Sequence, residues 1–226
     1  MIRYHADIEQ GSDEWLAVRR GIITASEMGL LLTPTLKVAA NDKSRAHIYE
    51  LAAQRISGYT EPHYIGSEML RGQEDEILAR ALYAEKIAPV TECGFITNDA
   101  HGFTLGYSPD GLVGDDGLIE CKSRRQKYQI QTIAEHKPAG TIPDEYVMQV
   151  QTGLLVTGRK WLDFVSYCGG LPMCVIRVLP DPKIQAAIIE AARAAEAEIA
   201  AKLQKYQQAA AGLFPTERRI EQEMFA

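Results

Sequence analysis

The sequence predicts an α/β fold with a mixed central sheet flanked by helices. Two patterns predict it. Short apolar, strand-like stretches bounded by turn residues lie at 91–98, 102–108, 117–123, 161–168 and 173–179, and longer stretches with helical periodicity lie between and beyond them. At 226 residues and 46% hydrophobic, the chain has the apolar content for one sizeable core, so 1–226 is expected to be a single domain.

In chain order, Asp13 to Arg20 reads as a short helix. Thr24-Ala25-Ser26-Glu27 has the form of a capping box ahead of the apolar Met28–Leu32, which puts Ser26 in the first helical turn. Free N–H groups at such a helix start also suit an anion, so a plain cap and a phosphate cradle are both open there. Asp42–Ser57 and Gly66–Glu85 have helical periodicity, the second with Leu70, Ile77, Leu78 and Leu82 as an apolar stripe bordered by Glu76. The strands at 91–98, 102–108 and 117–123 form a meander carrying Asp110 and Glu120 at the ends of its middle and last members. Asp144–Val156 is a further helix, and Trp161–Cys168 and Met173–Leu179 are strands. Asp181-Pro182 opens a long Ala- and Glu-rich helix to about Gln208, within a C-terminal element spanning 181–211. The charged tail, 212–226, is expected to be loosely held. No internal repeat is present.

Composition narrows the function. The start Met1-Ile2-Arg3-Tyr4-His5 lacks the apolar run of a signal peptide, and no stretch reaches the 18 apolar residues of a membrane span, so a soluble cytoplasmic protein is expected. Cysteines 93, 121, 168 and 174 have no paired metal spacing and are expected to stay reduced, without zinc or an iron–sulfur cluster. The net charge of −6 argues against DNA binding by bulk electrostatics, since duplex affinity comes mainly from neutralising phosphates. A nuclease remains compatible, because bound cations offset its carboxylates. The candidate basic lining is Arg19, Arg20, Lys122, Arg124, Arg125 and Lys127, although 124–127 also reads as a solvated loop.

Ser108-Pro109-Asp110-Gly111, followed by Glu120-Cys121-Lys122, carries the chemistry. A phosphodiester repels hydroxide, so its hydrolysis needs cations on the attacked phosphate and a nucleophile made at neutral pH. Side chains alternate along a strand, so Glu120 and Lys122 share one face with Cys121 opposite. Pro-Asp-Gly is a turn sequence, and a hairpin there brings Asp110 beside Glu120 to chelate a hard cation. Taken singly, each element is also an ordinary turn or an ordinary ion pair on a solvated strand; together, in this order, they read as a two-metal nuclease site.

The remaining landmarks are Gln10-Gly-Ser-Asp-Glu-Trp15, Arg19-Arg20-Gly21 through Thr24-Ala25-Ser26-Glu27, Arg71-Gly72 through Glu76, and Tyr146-Val-Met-Gln149-Val-Gln151. With Ser108–Gly111 and Glu120–Lys122, they resemble the phage lambda exonuclease family, the alkaline exonucleases of phage recombination systems, from about residue 10 to 160. The C-terminal third matches only in outline. The resemblance implies a restriction-endonuclease-like core of the PD-(D/E)xK type and a ring-shaped homotrimer. It implies degradation of one strand of linear double-stranded DNA from its 5′ end, leaving 3′ tails for a single-strand annealing protein, in a bacterial cytoplasm from a phage or prophage gene. By motif, Asp110, Glu120 and the backbone carbonyl of Cys121 would hold one ion and Glu76 a second. Lys122 would orient and help deprotonate water, and Gln149 would position it. Arg19, Ser26 and Ser108 would hold the 5′ phosphate, while Arg124, Arg125, Lys127 and Met69 would contact DNA, an apolar wedge falling at Met69 or Leu70. Magnesium suits these hard oxygen donors, with manganese as a substitute. A ring could also hide basic residues in its channel behind an acidic exterior. The chain departs from the family after the Thr-Ala-Ser-Glu motif, where Lys37 stands in place of an arginine and offers a point charge instead of a bidentate fork.

Two rivals share these residues. A restriction-type or structure-specific endonuclease would cut closed circles and have no use for a phosphate pocket at Arg19 and Ser26. A non-catalytic end-binding scaffold would have no reason to keep Asp110, Glu120, Lys122 and Glu76 together.

Overall fold

The structure is a computed structural model and describes residues 1–62 and 66–218. In chain order it contains β1 (Ile2–His5), α1 (Asp13–Arg19), β2 (Ile23–Thr24), a 3-10 turn (Ala25–Glu27), α2 (Met28–Leu31), α3 (Asp42–Ser57) and α4 (Ser67–Lys86). Next come β3 (Phe95–Asn98), β4 (Leu105–Tyr107), β5 (Gly111–Val113), β6 (Gly117–Ser123) and α5 (Gln126–Gln131), which runs through a π turn (Thr132–His136) into α6 (Lys137–Ala139). The chain ends in α7 (Asp144–Thr157), β7 (Trp161–Tyr167), β8 (Cys174–Val178) and α8 (Pro182–Ala209). The tail from 219 onward lies outside the described residues.

The mixed α/β architecture is as expected, but the single central sheet is not. Among the described residues there are two four-stranded mixed sheets, ordered β1-β3-β4-β2 and β5-β6-β7-β8. The expected meander is divided between them: β3 and β4 form a hairpin in the first sheet, and β5 and β6 form one in the second. The break falls at Ser108-Pro109-Asp110. Pro109 has no N–H to continue a ladder, so the chain leaves one sheet after Tyr107 and enters the other at Gly111.

The expected capping box at Thr24 is also absent. Thr24 is the last residue of β2, paired with Gly106 of β4, and its hydroxyl donates to Glu27 Oε2 at 2.6 Å instead of accepting a backbone N–H. Ser26 therefore lies in the 3-10 turn. A capping box forms at α3, where Asn41 and Ser44 bond each other reciprocally, and Gly58 ends that helix at φ 62°. At α8, Asp181 accepts from the N–H groups of Lys183 and Ile184, and Pro182 occupies the first turn.

The second sheet is covered on both faces. Leu118 of β6 joins the main core with Ile23, Met28, Leu51, Ile96, Leu154, Phe164 and Ile188, beneath α7 and α8. Ile119 points the other way, to a smaller cluster of Ala79, Tyr83, Val113, Cys121 and Val165 under α4. Each fully buried side chain of this kind contributes about 1.5–3 kcal/mol. Helix α8 packs on the core through Ile188, Ala191, Ala192, Ala195 and Ile199, and Arg55 of α3 grips its Glu196 through both terminal guanidinium nitrogens.

The apolar stripe of α4 faces outward. Leu70, Ile77 and Leu78 are more than half exposed, whereas Ala79 and Tyr83 are fully buried. Periodicity reports which residues share a helix face, not which face meets the sheet. Small Ala79 lets the helix approach β6, and the Tyr83 hydroxyl donates to buried Asp163 of β7 at 2.7 Å.

Candidate active site

Strand β6 sets out the site by alternation. Glu120 lies on the main-core face beside Leu118, 1% exposed, and Lys122 follows on the same face, its ammonium donating to Glu120 Oε1 at 2.7 Å. Gln149 of α7 donates to the same oxygen at 2.5 Å, and Tyr107 of β4 donates to Oε2 at 2.6 Å. Its helical neighbour Gln151 turns to the other side, where it bonds Leu179 and Asp181 at the start of α8.

Asp110 arrives from the break between the sheets. The β5–β6 ladder begins at Gly111↔Ile119, and one residue beyond it the Asp110 carboxylate accepts the Cys121 N–H, where a strand partner's carbonyl would otherwise stand. Gln10 ties down the same segment by donating to the Pro109 carbonyl at 2.9 Å. Glu76 reaches the cluster from α4, with Arg80 one turn on donating to both Glu76 Oε1 and the Asp110 carbonyl.

Next to the carboxylates is a corner of hydrogen-bond donors. Trp15 Nε1 and Arg19 Nη1 both donate to Ser108 Oγ, at 2.9 and 3.2 Å, and the Arg19 guanidinium stacks over the Trp15 ring at 4.1 Å. Ser26 Oγ is 3.1 Å from Thr24 Oγ1. Arg19, Ser26, Ser108, Asp110, Glu120, Lys122 and Gln149 line one cleft of about 210 Å³, together with Trp15, Thr24, Ala25 and Tyr107.

The electrostatics are those of crowded acids. Burial, then Glu120 and Glu76, push the Asp110 carboxyl well above its usual range. Burial also raises Glu76, with Arg80 opposing and Glu120 adding. For Lys122, burial pulls the ammonium down, but Glu120 and Asp110 outweigh it and hold it above its ordinary value. Burial and the same two carboxylates raise the Tyr107 phenol, which stays a donor.

Three buried or half-buried carboxylates, Asp110, Glu120 and Glu76, beside a backbone segment at Cys121, are a donor set suited to hard divalent cations. Among the described residues no three His, Cys, Asp or Glu side chains already converge as a ligand shell. Both Glu120 oxygens and one of Asp110 are engaged by protein donors.

The other expected contacts lie elsewhere. Arg124 is 7% exposed, donates to Glu145 and Tyr146 and stacks on Tyr128, so it is turned inward; Arg125 and Lys127 are exposed, Arg125 paired with Glu68. Met69 and Leu70 are exposed near the start of α4, and Lys37 is exposed between α2 and α3. Arg80 and Tyr107 were not anticipated. Arg80 stands four residues after Glu76, a spacing that predicts contact on a helix, whereas nothing near Tyr107 marks its hydroxyl.

Among solved structures, the chain is similar to an alkaline exonuclease (LHK-Exo) from Laribacter hongkongensis at 36% identity and TM-score 0.77, over 90% of this chain and all of that one. It is equally similar to the same enzyme in complex with dAMP, at TM-score 0.76. A phage-related exonuclease from Haemophilus somnus 129PT, 14% identical, shares the fold at TM-score 0.60 over 81% of this chain and 96% of that one. No curated protein matches. Fold and cleft together define a nuclease of the exonuclease class found in phage recombination. The YqaJ-like viral recombinase domain matches residues 14–160, and the chain belongs to that family, which bears out the resemblance to the lambda exonucleases. Among the described residues no helix is long and apolar enough to cross a membrane.

Proposed function

We propose that this chain is a magnesium-dependent 5′-to-3′ exonuclease. It degrades one strand of linear double-stranded DNA from a 5′-phosphorylated end and leaves 3′ single-stranded tails for recombination. One observation carries the reading: the Trp15–Arg19–Ser108 corner and the Asp110–Glu120–Lys122 cluster open into the same small cleft. A phosphate held in that corner lies next to the groups that would cut the following bond, a geometry useful at a strand end and idle in the middle of a duplex. A relative 36% identical has been solved with the mononucleotide dAMP, which supports a cleft sized for one nucleotide.

The division of labour follows from the side chains. Arg19 brings a charge, and Ser108 a hydroxyl, to the terminal phosphate. Asp110, Glu120 and the Cys121 carbonyl would hold one magnesium ion, and Glu76 a second. Bound there, the ions supply positive charge to the phosphate and acidify water. Lys122 is held charged beside Glu120, so it enters as a donor that orients the attacking oxygen and takes up its proton only after losing its own. Gln149, on the same Glu120 oxygen, keeps that carboxylate and the water aligned. Arg125 and Lys127 are exposed for backbone phosphates, whereas Arg124 is buried against Glu145, Tyr146 and Tyr128. The working unit in this reading is a homotrimer, in the bacterial cytoplasm, with a single-strand annealing protein as partner.

The test is product release from linear duplex with and without a 5′ phosphate, in magnesium, beside a closed circle, for wild type and Lys122→Ala. Mononucleotides released from the 5′-phosphorylated linear end, and lost in Lys122→Ala, are the expected result. Cutting of the circle would move the assignment to an endonuclease, and absence of any cleavage to an end-binding scaffold.

A further inference from the structure

We infer that Tyr107 is a positioning residue for the Glu120 carboxylate, and that position 153 is glycine because any side chain there would displace it. The inference rests on the nuclease reading, in which Glu120 is a metal ligand.

Glu120 has three donors, and they are not equivalent. Lys122 and Gln149 share Oε1, and both have duties toward the attacking water in the proposed reaction. Tyr107 alone holds Oε2, from a hydroxyl that is buried and makes no other hydrogen bond among the described residues. It also comes from the other sheet: Tyr107 ends β4, whereas Glu120 sits in β6. The terminal torsion of a glutamate is soft, so a carboxylate held only at one oxygen can swing. The phenol fixes the second oxygen and with it the plane offered to a cation.

The phenol is itself fixed by a void. A Cβ built on Gly153 of α7 would lie 2.8 Å from Tyr107 Cζ and 3.0 Å from both flanking ring carbons, so a methyl group there forces the ring to move. Gly153 has no left-handed φ to explain it. Room for the Tyr107 ring is the reason the structure offers, and a mid-helix glycine otherwise costs about 1 kcal/mol against alanine.

Tyr107 leads directly into Ser108, Pro109 and Asp110. The residue that orients Glu120 is therefore three positions from the second carboxylate and adjacent to the phosphate contact, so one rigid strand end sets all three.

The experiment measures Mn²⁺ binding without DNA, from the free-ion electron paramagnetic resonance signal, for wild type, Tyr107→Phe and Gly153→Ala. Circular dichroism and cleavage of 5′-phosphorylated duplex are recorded in parallel. Loss of a hydrogen bond that orients a metal-binding carboxylate weakens metal binding by about 10- to 100-fold, and this is expected for Tyr107→Phe, with half-maximal cleavage moved to correspondingly higher metal and the rate at saturating metal nearly kept. Gly153→Ala retains the hydroxyl but shifts it, and should weaken binding in the same direction by less. Wild-type Mn²⁺ affinity in folded Tyr107→Phe overturns the inference, as does a fall in rate at unchanged affinity. If Tyr107→Phe does not fold, unchanged affinity in Gly153→Ala overturns it and weakened affinity supports it. A wild type that binds Mn²⁺ but cuts nothing defeats the nuclease reading instead, and the affinity comparison still decides the role of Tyr107.

Discussion

Ser108 Oγ accepts two hydrogen bonds, from Trp15 Nε1 at 2.9 Å and from Arg19 Nη1 at 3.2 Å. A serine hydroxyl has two acceptor sites and one proton, so with both acceptor sites used the proton stays free for a further acceptor. That makes Ser108 a donor to whatever anion enters.

Ser108→Ala should therefore weaken discrimination between strand ends, leaving the part that Arg19 supplies. A hydrogen bond to a charged partner is worth about 1.5–3 kcal/mol, or roughly 10- to 100-fold, and the loss should fall on 5′-phosphorylated substrate only. Single-turnover rates on phosphorylated and hydroxyl ends would converge; an unchanged ratio would remove Ser108 from the phosphate corner.

Lys122→Ala should lower turnover by about 10²- to 10⁴-fold, the usual worth of a group that handles the reacting proton, while metal binding is kept. Chelation with EDTA should stop the wild type and be reversed by added magnesium. Rapid-quench kinetics at saturating magnesium separate the two effects.

Asp110→Asn trades function for stability. The buried Asp110 carboxylate is disfavoured by burial, Glu120 and Glu76, and the amide keeps an oxygen to accept the Cys121 N–H. Without metal the variant should melt above the wild type by several degrees, as about 1 kcal/mol moves a domain of this size by roughly 2–4 °C. Adding magnesium should raise the wild-type melting temperature and leave the variant unmoved, as read by differential scanning fluorimetry.

Tyr83 makes a prediction in alkali, away from the cleft. Burial, then its hydrogen bond to Asp163, raises the Tyr83 phenol above its ordinary value. A folded-state pKa above the unfolded one means stability fully present below about pH 10 and lost as pH rises toward the folded value. Tyr83→Phe should cost about 1.5–3 kcal/mol at neutral pH. Urea unfolding at a series of pH values should find that gap narrowing above about pH 10, because the contribution of the Tyr83 phenol is lost there and the variant never had it.

Strand β6 was legible because strand period is rigid: Glu120 and Lys122 had to share a face whatever surrounded them. Asp110 was legible as a turn residue but not as the hinge between two sheets, because Pro-Asp-Gly looks the same inside a hairpin and between sheets. Ser26 lines the cleft, but the capping box read at Thr24 did not form, since tertiary pairing of Thr24 with Gly106 overrode a local motif. The α4 stripe was misread because periodicity carries no direction. Tyr107 and Gly153 were out of reach for another reason. Their relation lies between residues 46 apart, across two elements, and neither one carries a local signal of it.

Helix α4 has one further property. Its outward face carries Leu70, Ile77 and Leu78, while Glu76 and Arg80 on the same rod reach Asp110 and the carboxylate cluster. Glu76 and Ile77 are consecutive residues, so the exposed apolar face and the carboxylate cluster are two sides of one helix and neither can be displaced without the other.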